Sequence, residues 1–514
     1  MDEVTGQETK AATNNKLSKW QQKFSDFFKD KSNFIVVLVI GIGILIRLYY
    51  LFLAANQPLW WDEAELMLQA KHIAFNIPNT GWFPYREPLL PIIWGLFFNL
   101  GANEFFIRFI EFLFSTAAVI FTYLLSKEIF DKKTAIIATS FLAVFYLHLF
   151  YSLRFMAEAP TLAFVTMAVY YFWIGYVKSI NLRYLIISAL SIAIGFLSYY
   201  AVIFIGIVIT LFLVITERFK FLKVKKLWVA TLAFVLLLLP YIIYSMKTLH
   251  VPLPRLYAVQ TSIAQVTKVY SAWSFYLKLF PTYLQTVLLL VFLAGVLYVL
   301  INLILGFDLM LKNKNEELKK YLFLVLWIII PIIILSYIAV NQAGHAEDRY
   351  IILIFPAVFL VASISLIKTS DYIKKLNLKL AVAFIVLAIV IVGLQQLKQA
   401  DSLIKSRLTS YDTIKEAGLW IKQHSNPRDT VISNSIPQNT YYSGRATYYE
   451  YEEEKINSRN PRYFVVSIFE NSGEAYFKYP EQHQSSMVPV QAYFADEEKK
   501  QVMLVIYEFR SNQS

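Results

Sequence analysis

The feature that most constrains the fold is a series of long apolar runs, for example residues 34–54, 227–244, 286–305, 321–340 and 381–394. A helix needs about 20 apolar residues to cross the hydrocarbon core of a bilayer. Apolar residues form 57% of the 514 residues and charged residues only 16%, with a mean hydropathy of +0.50. A soluble chain of this length carries more charge. The sequence therefore predicts an all-α, multi-pass membrane protein.

The formal net charge of +12 would suit a polyanionic partner, but its distribution argues against nucleic acid. Basic residues cluster in short links between apolar runs, at 127–133, 218–226, 312–320 and 374–379. This is the bias that places Lys and Arg on the cytoplasmic side of a membrane. The chain has no cysteine, which excludes disulfides and thiolate metal sites.

Hydropathy and loop charge predict a cytoplasmic amino terminus and about 11 spans. We place them at 34–54, 106–126, 134–151, 159–177, 184–198, 200–216, 227–246, 283–305, 321–340, 350–368 and 380–397. Residues 184–215 are too long for one crossing, and 195–200 offers the only plausible turn. No cleavable signal peptide is evident, because about 33 mostly polar residues precede the first span.

Three domains are expected. Residues 1–33 form a cytoplasmic amphipathic segment, in which Leu17, Trp20 and Phe24 share one helical face among lysines. Residues 34–397 form the transmembrane domain, with a long first outer loop at 55–105. Residues 398–514 form a small soluble α/β domain outside the membrane, with a helix at 411–424 and strands at 430–434, 463–468 and 502–507.

The first outer loop opens with Trp60, Trp61, Asp62, Glu63, Ala64 and Glu65 directly after the first span. One interpretation makes Asp62 a helix N-cap, with Glu65 completing a capping box. The other makes Asp62 a carboxylate at the bilayer surface, where partial desolvation strengthens it as a base. The two are compatible, because capping would also hold the carboxylate in place.

Charged residues recur later in the first outer loop and at two other predicted outer turns. Arg86 precedes a short apolar helix and would lie at headgroup level, either reaching an anionic lipid or snorkelling. Arg154 and Glu158 are four residues apart and either pair with each other or serve a substrate pocket. Arg349 opens an apolar helix, and its planar guanidinium suits a phosphate.

A metal site has weak support. His345 with Glu347 or Asp348 could ligate a divalent ion, but the spacing is generic and favours solvated loop residues over a metal site. No cofactor is firmly indicated.

Five segments together resemble the GT-C superfamily of integral-membrane glycosyltransferases. The resemblance is closest to the glycosyltransferase 39-like branch of protein O-mannosyltransferases and lipid A aminoarabinose transferases. The segments, in order, are Asp62-Glu63 after the first span, Arg86-Glu87-Pro88-Leu89, Gly101-Ala102-Asn103-Glu104 with Arg108, residues 345–356, and Tyr441-Tyr442-Ser443-Gly444-Arg445. Each motif is short, so the order and placement of the five carry the resemblance.

The resemblance implies a transferase that moves a sugar from a polyprenyl- or dolichyl-phosphate carrier to an acceptor hydroxyl, with inversion, at the non-cytoplasmic face. Asp62 and Glu63 would be the catalytic residues, with Asp62 as the base, and Arg86 and Arg349 would lie near the donor phosphate. Glu158, with Arg154, would match a second acidic or acceptor position, although many relatives carry aspartate there. Glu87 also replaces the first proline of the family's doubled proline.

Two other classes remain open. A transporter or lipid-handling protein would place polar residues near the middle of several helices. A receptor or scaffold would bind a partner through its outer domain and would give the dispersed charges no reason to converge. The sugar, the lipid carrier and the acceptor, whether protein, lipid or glycan, are not determined by the sequence.

Overall fold

The computed structural model describes residues 29–79, 86–254, 257, 272–311, 316–341, 346–495, 498 and 500–510. The predicted amphipathic segment with Leu17, Trp20 and Phe24 and the candidate ligand His345 lie outside these residues. The amino-terminal half contains helices α1 (Lys31–Leu53), α2 (Trp61–Phe75), α3 (Leu89–Asn99), α4 (Glu104–Ile129), α5 (Lys132–Val144), α6 (Tyr146–Tyr151), α7 (Glu158–Phe172), α8 (Leu182–Ser198), α9 (Ile203–Glu217) and α10 (Lys225–Leu249).

Four further long helices complete the bundle. They are α11 (Phe275–Leu311), α12 (Glu316–Asn341), α13 (Phe355–Lys374) and α14 (Leu378–Ser406), and a 3₁₀ turn, Asp348–Ile354, leads into α13. A Cβ on Gly295 would lie 2.2 Å from the carbonyl oxygen of Val361, so glycine is what allows α11 to pack directly on α13.

Within the described residues, nine helical segments are long and apolar enough to cross a membrane. They agree with nine of the predicted spans. The other two correspond to α8, which has 17 residues, and to the pair α5 and α6, which is interrupted at Phe145. The division between α8 and α9 falls at Tyr199, inside the predicted turn. The polytopic all-α prediction is confirmed.

A buried arginine holds the break between α5 and α6. Arg47 of α1 donates from Nη1 to the carbonyl oxygen of Ala143 at 2.8 Å and from Nε to Ser115 Oγ at 2.7 Å. Its Nη2 lies 3.0 Å from His148 Nδ1. The last carbonyls of a helix have no partner within the helix. Backbone groups within a membrane bundle need partners from the protein, and here the guanidinium supplies the missing donors.

The carboxyl-terminal domain is a mixed sheet with helices on it, as predicted. Its elements are α15 (Asp412–His424), β1 (Thr430–Ser433), α16 (Ile436–Ser443), β2 (Ala446–Tyr448), α17 (Glu453–Arg459), β3 (Pro461–Ser467), α18 (Glu474–Gln482), β4 (Met487–Phe494) and β5 (Val502–Phe509). The strand order is β2-β1-β3-β5-β4. Strands β1, β2 and β3 are parallel, whereas β5 is antiparallel to both β3 and β4. The sequence patterns found β1, β3 and β5 but missed β2 and β4.

Helix α16 joins this domain to the first outer loop. The backbone N–H of Leu59 donates to the Tyr442 hydroxyl at 2.8 Å, and the Tyr441 hydroxyl donates to Glu104 at 2.6 Å. The ammonium of Lys71 lies 3.6 Å from the centre of the Tyr441 ring. These contacts hold the start of α2 against the carboxyl-terminal domain.

Candidate active site

Helix α2 presents its first acidic residues in opposite directions. The N-cap residue is Trp60, whose backbone N–H donates to Glu63 Oε2 at 2.9 Å. The interpretation of Asp62 as the N-cap, with Glu65 completing a capping box, is therefore wrong. The helix begins at Trp61, one residue before Asp62, and Glu63 is the residue that accepts the hydrogen bond from the N-cap backbone. Asp62 and Glu65 are consequently free to point into the space between α2 and the rest of the bundle.

Asp62 lies between two arginines that are distant in sequence. Arg86 Nη2 is 2.8 Å from Asp62 Oδ1, and Arg349 Nη2 is 2.6 Å from Asp62 Oδ2. The Asp62 side chain keeps 25% of its surface exposed, so it remains accessible from a cavity. The structure thus brings together the predicted base and both predicted phosphate-binding residues.

The arginines determine the protonation of Asp62. Burial raises the pKa of this carboxyl, but the positive charges of Arg86 and Arg349 outweigh burial and lower the pKa from 3.8 to about 2. The expectation that desolvation would make Asp62 a stronger base is therefore wrong for the protein without a ligand. Two adjacent cations stabilise the carboxylate more than burial destabilises it.

Glu65 shares Arg86 with Asp62. Its Oε2 is 2.5 Å from Arg86 Nη2, and its Oε1 accepts a hydrogen bond from Trp61 Nε1 at 3.0 Å. Burial raises the pKa of Glu65, and the negative charge of Asp62 adds to this effect while Arg86 opposes it. Glu65 is therefore the acid of this group that takes up a proton more readily than Asp62.

Arg349 contacts two further acids. Its Nε lies 2.6 Å from Glu347 Oε2 and 3.4 Å from Glu158 Oε1, and its Nη1 contacts the Met156 sulfur at 3.4 Å. The second oxygen of Glu158 is buried with no hydrogen-bond partner in the described part of the chain. We call the six residues Asp62, Glu65, Arg86, Glu158, Glu347 and Arg349 the Asp62 cluster.

Glu63 and Arg154 form a separate, buried ion pair. Arg154 Nη1 is 2.8 Å from Glu63 Oε2, and the side chains are 1% and 0% exposed. Glu63 Oε1 also accepts from the backbone N–H of Phe155 at 3.1 Å, and the Arg154 guanidinium lies 3.8 Å from the Trp60 ring centre. The proposed pairing of Arg154 with Glu158 is thus wrong, because Glu63 takes the guanidinium and leaves Glu158 to Arg349.

Two cavities meet at the Asp62–Arg349 ion pair, and Met156 also lines both. The inner cavity is small, about 50 Å³, and is lined by Arg86, Glu158 and the aromatic residues Tyr199 and Tyr350. The outer cavity is about 480 Å³, and five aromatic side chains line it together with charged residues that include Glu347, Asp348 and Arg407. Neither Glu63 nor Arg154 lines either cavity.

The sequence did not identify the aromatic wall of the outer cavity. It is formed by Trp60, Trp61, Phe150, Tyr151 and Tyr411. Tyr411 adopts a left-handed backbone conformation, with φ of 71°, that is uncommon for a bulky residue. Its ring packs between Trp60 and Phe469 of the carboxyl-terminal domain. Aromatic residues are abundant throughout this chain, so composition offered no signal for these five.

The structure provides little for a metal ion. No group of three or more His, Asp or Glu side chains arranged to hold a metal occurs among the described residues. Glu347, a weak candidate ligand, is engaged by Arg349 and by the Tyr350 hydroxyl at 3.1 Å. The positive charges beside the acids of the Asp62 cluster are those of Arg86 and Arg349.

Part of the transmembrane domain matches a known family. The family model of dolichyl-phosphate-mannose-protein mannosyltransferases matches residues 84–244, which include Arg86, Arg154 and Glu158. A sequence comparison with curated proteins finds no significant match.

Solved structures share the fold over most of the chain. The oligosaccharyltransferase AglB from Archaeoglobus fulgidus, in complex with an inhibitory peptide and a dolichol-phosphate, superposes with a TM-score of 0.60 at 14% identity, covering 95% of this chain and 75% of that one. ArnT from Cupriavidus metallidurans, bound to undecaprenyl phosphate, gives a TM-score of 0.66 at 9% identity, covering 92% and 97%. The GT-C fold expected from the sequence resemblance is confirmed.

Proposed function

From the GT-C fold of this chain, we propose that it is a membrane glycosyltransferase that moves a sugar from a polyprenyl- or dolichyl-phosphate carrier to an acceptor hydroxyl. The observation that carries the proposal is the meeting of Asp62, Arg86 and Arg349 at the junction of two cavities. The family match and the fold support a lipid-linked-donor glycosyltransferase in general.

Arg86 and Arg349 are the proposed donor phosphate-binding residues. Both guanidiniums donate to the Asp62 carboxylate, one to each oxygen, so their N–H groups converge on one spot, and each offers a planar set of N–H donors that matches phosphate oxygens. Without a ligand, the Asp62 carboxylate occupies this spot. A donor phosphate would compete with Asp62 for the same N–H groups. Dolichol-phosphate and undecaprenyl phosphate in the similar structures are ligands of this chemical class.

The charge balance of the Asp62 cluster requires a proton. Four acids and two arginines leave an excess of negative charge when all are ionised, which opposes an incoming phosphate. Glu65 is suited to remove part of it, because burial raises the pKa of its carboxyl. In the proposed bound state Glu65 is protonated, and Arg86 then turns its N–H groups from Glu65 to the donor phosphate.

Asp62 is the proposed base. Once the phosphate engages both arginines, Asp62 loses the cations that lower its pKa, and burial then makes it more basic. The acceptor hydroxyl attacks the anomeric carbon while its proton passes to Asp62. The bond from that carbon to the phosphate oxygen breaks, and the phosphate leaves with the electron pair between the two arginines. Attack opposite the leaving group inverts the anomeric configuration.

The remaining predicted site residues have different roles in this proposal. Glu158 and Glu347 orient Arg349, because each contacts its Nε. Glu63 and Arg154, predicted as a catalytic and an acceptor-site residue, have no access to either cavity. We assign them to holding the start of α2, which carries Asp62.

The same proposal places the reaction at the non-cytoplasmic face. The basic links at 127–133 and 218–226 follow the carboxyl ends of α4 and α9, whereas Glu158 begins α7 and Arg349 precedes α13. Short basic links mark the cytoplasmic side of a membrane protein. The Asp62 cluster lies at the other end of these helices.

The test is a transfer assay with purified protein in lipid bilayers. Polyprenyl-phosphate donors carrying radiolabelled hexose or pentose are incubated with peptide, lipid and glycan acceptors. We expect the label to move to one acceptor class in a donor-dependent way, with the opposite anomeric configuration in the product by NMR. Transport of intact labelled lipid across the bilayer without cleavage of its phosphate–sugar bond would contradict the proposal and favour a lipid-handling protein.

A further inference from the structure

A second large cavity lies far from the Asp62 cluster, between α8, α9 and α10. It is about 490 Å³ and is lined by residues including Phe172, Ile192, Gly206 and Phe234. This volume falls within the roughly 300–1,000 Å³ of ligand-binding pockets. Phe172 is at the carboxyl end of α7, the helix that Glu158 begins. At a rise of about 1.5 Å per residue, the cavity is on the order of 20 Å along the bundle from the Asp62 cluster.

This second cavity is a groove between α8, α9 and α10, and the residues that line it suit a hydrocarbon chain. Three of its few polar side chains already donate to backbone carbonyls: Ser188 to Ala168, Thr210 to Gly206, and Thr231 to Leu227. Their donor hydrogens are therefore not available to a polar ligand. Neither acid nor base lines the groove. An occupant gains from apolar contact alone, which favours an acyl chain.

The mouth of the groove is positively charged. The link between α9 and α10 supplies Phe221 and Leu222 to the lining, and the exposed residues Arg218, Lys220, Lys223 and Lys225 flank them. None of these four cations forms an ion pair within the described chain. The Trp228 side chain is 55% exposed beside them, as is typical of aromatic residues at a membrane interface.

We infer that this groove binds an anionic phospholipid of the cytoplasmic leaflet, with one acyl chain between α8, α9 and α10 and the phosphate at the 218–225 cations. Clusters of Lys and Arg directly beside a transmembrane helix attract anionic headgroups. The occupant differs from the donor of the proposed reaction, because the phosphate-binding arginines of that reaction lie at the other end of the bundle. The inference does not depend on the chain being a transferase.

The sharpest test fills the groove without disturbing the bundle. At Gly206, only Ile203 lies within 4 Å of an added Cβ, at 3.9 Å, so Gly206→Leu extends a side chain into open space. Gly393→Leu is the matched control, because nothing lies within 4 Å of its Cβ and it is on α14, outside the groove. Leucine also favours helix over glycine, so both variants should fold.

The readout is native mass spectrometry of protein exchanged into detergent with equimolar phosphatidylglycerol, phosphatidylcholine and a polyprenyl phosphate. We expect the wild type and Gly393→Leu to retain phosphatidylglycerol preferentially. The amount of phosphatidylglycerol that Gly206→Leu retains should be at least tenfold lower than in the wild type. Thr210→Leu narrows the same groove and gives a second check if Gly206→Leu is poorly expressed. Equal retention by Gly206→Leu and wild type would overturn the inference.

The headgroup is tested separately. The double variant Lys220→Gln with Lys223→Gln should reduce the preference for phosphatidylglycerol over phosphatidylcholine several-fold while leaving total lipid binding in the groove. An unchanged preference would show that these cations do not bind the lipid phosphate and would overturn the inferred headgroup site. Loss of polyprenyl phosphate instead of phosphatidylglycerol in Gly206→Leu would assign the groove to the donor tail and also overturn the inference.

Discussion

The Asp62 cluster and the Glu63–Arg154 pair are built from the same residue types, and their acids are adjacent in the chain, yet they occupy opposite environments. Glu63 has one arginine, two backbone N–H donors and no exposed surface. Asp62 has two arginines, and a quarter of its surface faces cavities. The buried pair lines neither cavity, whereas the Asp62 cluster carries more acids than bases and opens to two cavities.

The difference indicates a structural role for the Glu63–Arg154 pair and a chemical role for the Asp62 cluster. A fully buried ion pair does not readily exchange partners, because either charge left alone in the interior is costly. In the Asp62 cluster each arginine contacts more than one carboxylate. Its ion pairs can therefore rearrange around an anion while every charge keeps a partner.

The largest effect should come from removing the base. Asp62→Asn keeps the shape of the side chain but cannot accept the acceptor's proton, so turnover should fall by about 10²–10⁴-fold. Folding should suffer much less, because Arg86 keeps Glu65 and Arg349 keeps Glu158 and Glu347. Asp371→Asn, at an exposed position on α13, is the matched control. Turnover in a folded Asp62→Asn protein equal to the wild type would remove Asp62 from the base role.

Glu63→Gln should give the opposite result. It leaves the Arg154 charge buried and unpaired, which should lower the free energy of unfolding by about 3–5 kcal/mol. Turnover per folded molecule should stay within a few-fold of the wild type, because Glu63 lines neither cavity. Thermal unfolding in detergent and activity normalised to folded protein measure the two quantities. A stable but inactive Glu63→Gln variant would place Glu63 in the chemistry after all.

A smaller effect is expected from exchanging the cation. Arg349→Lys keeps the charge but loses the planar pair of N–H donors, so affinity for a polyprenyl phosphate should fall roughly tenfold, since hydrogen bonds to charged groups contribute about 1.5–3 kcal/mol. Binding of the lipid phosphate can be followed by thermal shift. Arg183→Lys, exposed at the start of α8, provides the control. Equal affinity in Arg349→Lys and wild type would mean that Arg349 does not hold the phosphate.

The smallest effect concerns pH. The Glu65 pKa is raised above its usual 4.5, and the protonated form releases Arg86, so affinity for the lipid phosphate should weaken by a few-fold as pH rises through that pKa. Glu65→Gln mimics the protonated acid and keeps an acceptor for Trp61 Nε1. At pH 8 the affinity of Glu65→Gln for the lipid phosphate should be higher than that of the wild type. The weakening of affinity with rising pH should be absent in this variant. A wild-type pH profile that Glu65→Gln reproduces unchanged would exclude Glu65 as the titrating group.

The sequence predicted several residues of the Asp62 cluster but not which charges pair with each other. It identified Asp62, Arg86, Glu158 and Arg349 as candidates, and all four line the inner cavity. It could not distinguish Glu63 from Asp62, because one residue of helical rotation decides which carboxylate enters the interior. It also missed Arg47, whose partners Ser115, Ala143 and His148 come from two other segments of the chain.

The sequence by itself determined the membrane fold, nearly all the crossings and the list of charged residues near one face. These properties follow from local composition, because about 20 apolar residues cross a bilayer whatever surrounds them. Only the tertiary structure decided which charges pair. An ion pair depends on the distance and burial of two groups, and residues 62 and 349 acquire a common position only when the bundle has packed. The same packing made Asp62 a weak base without a ligand, reversing what its position at the membrane surface had suggested.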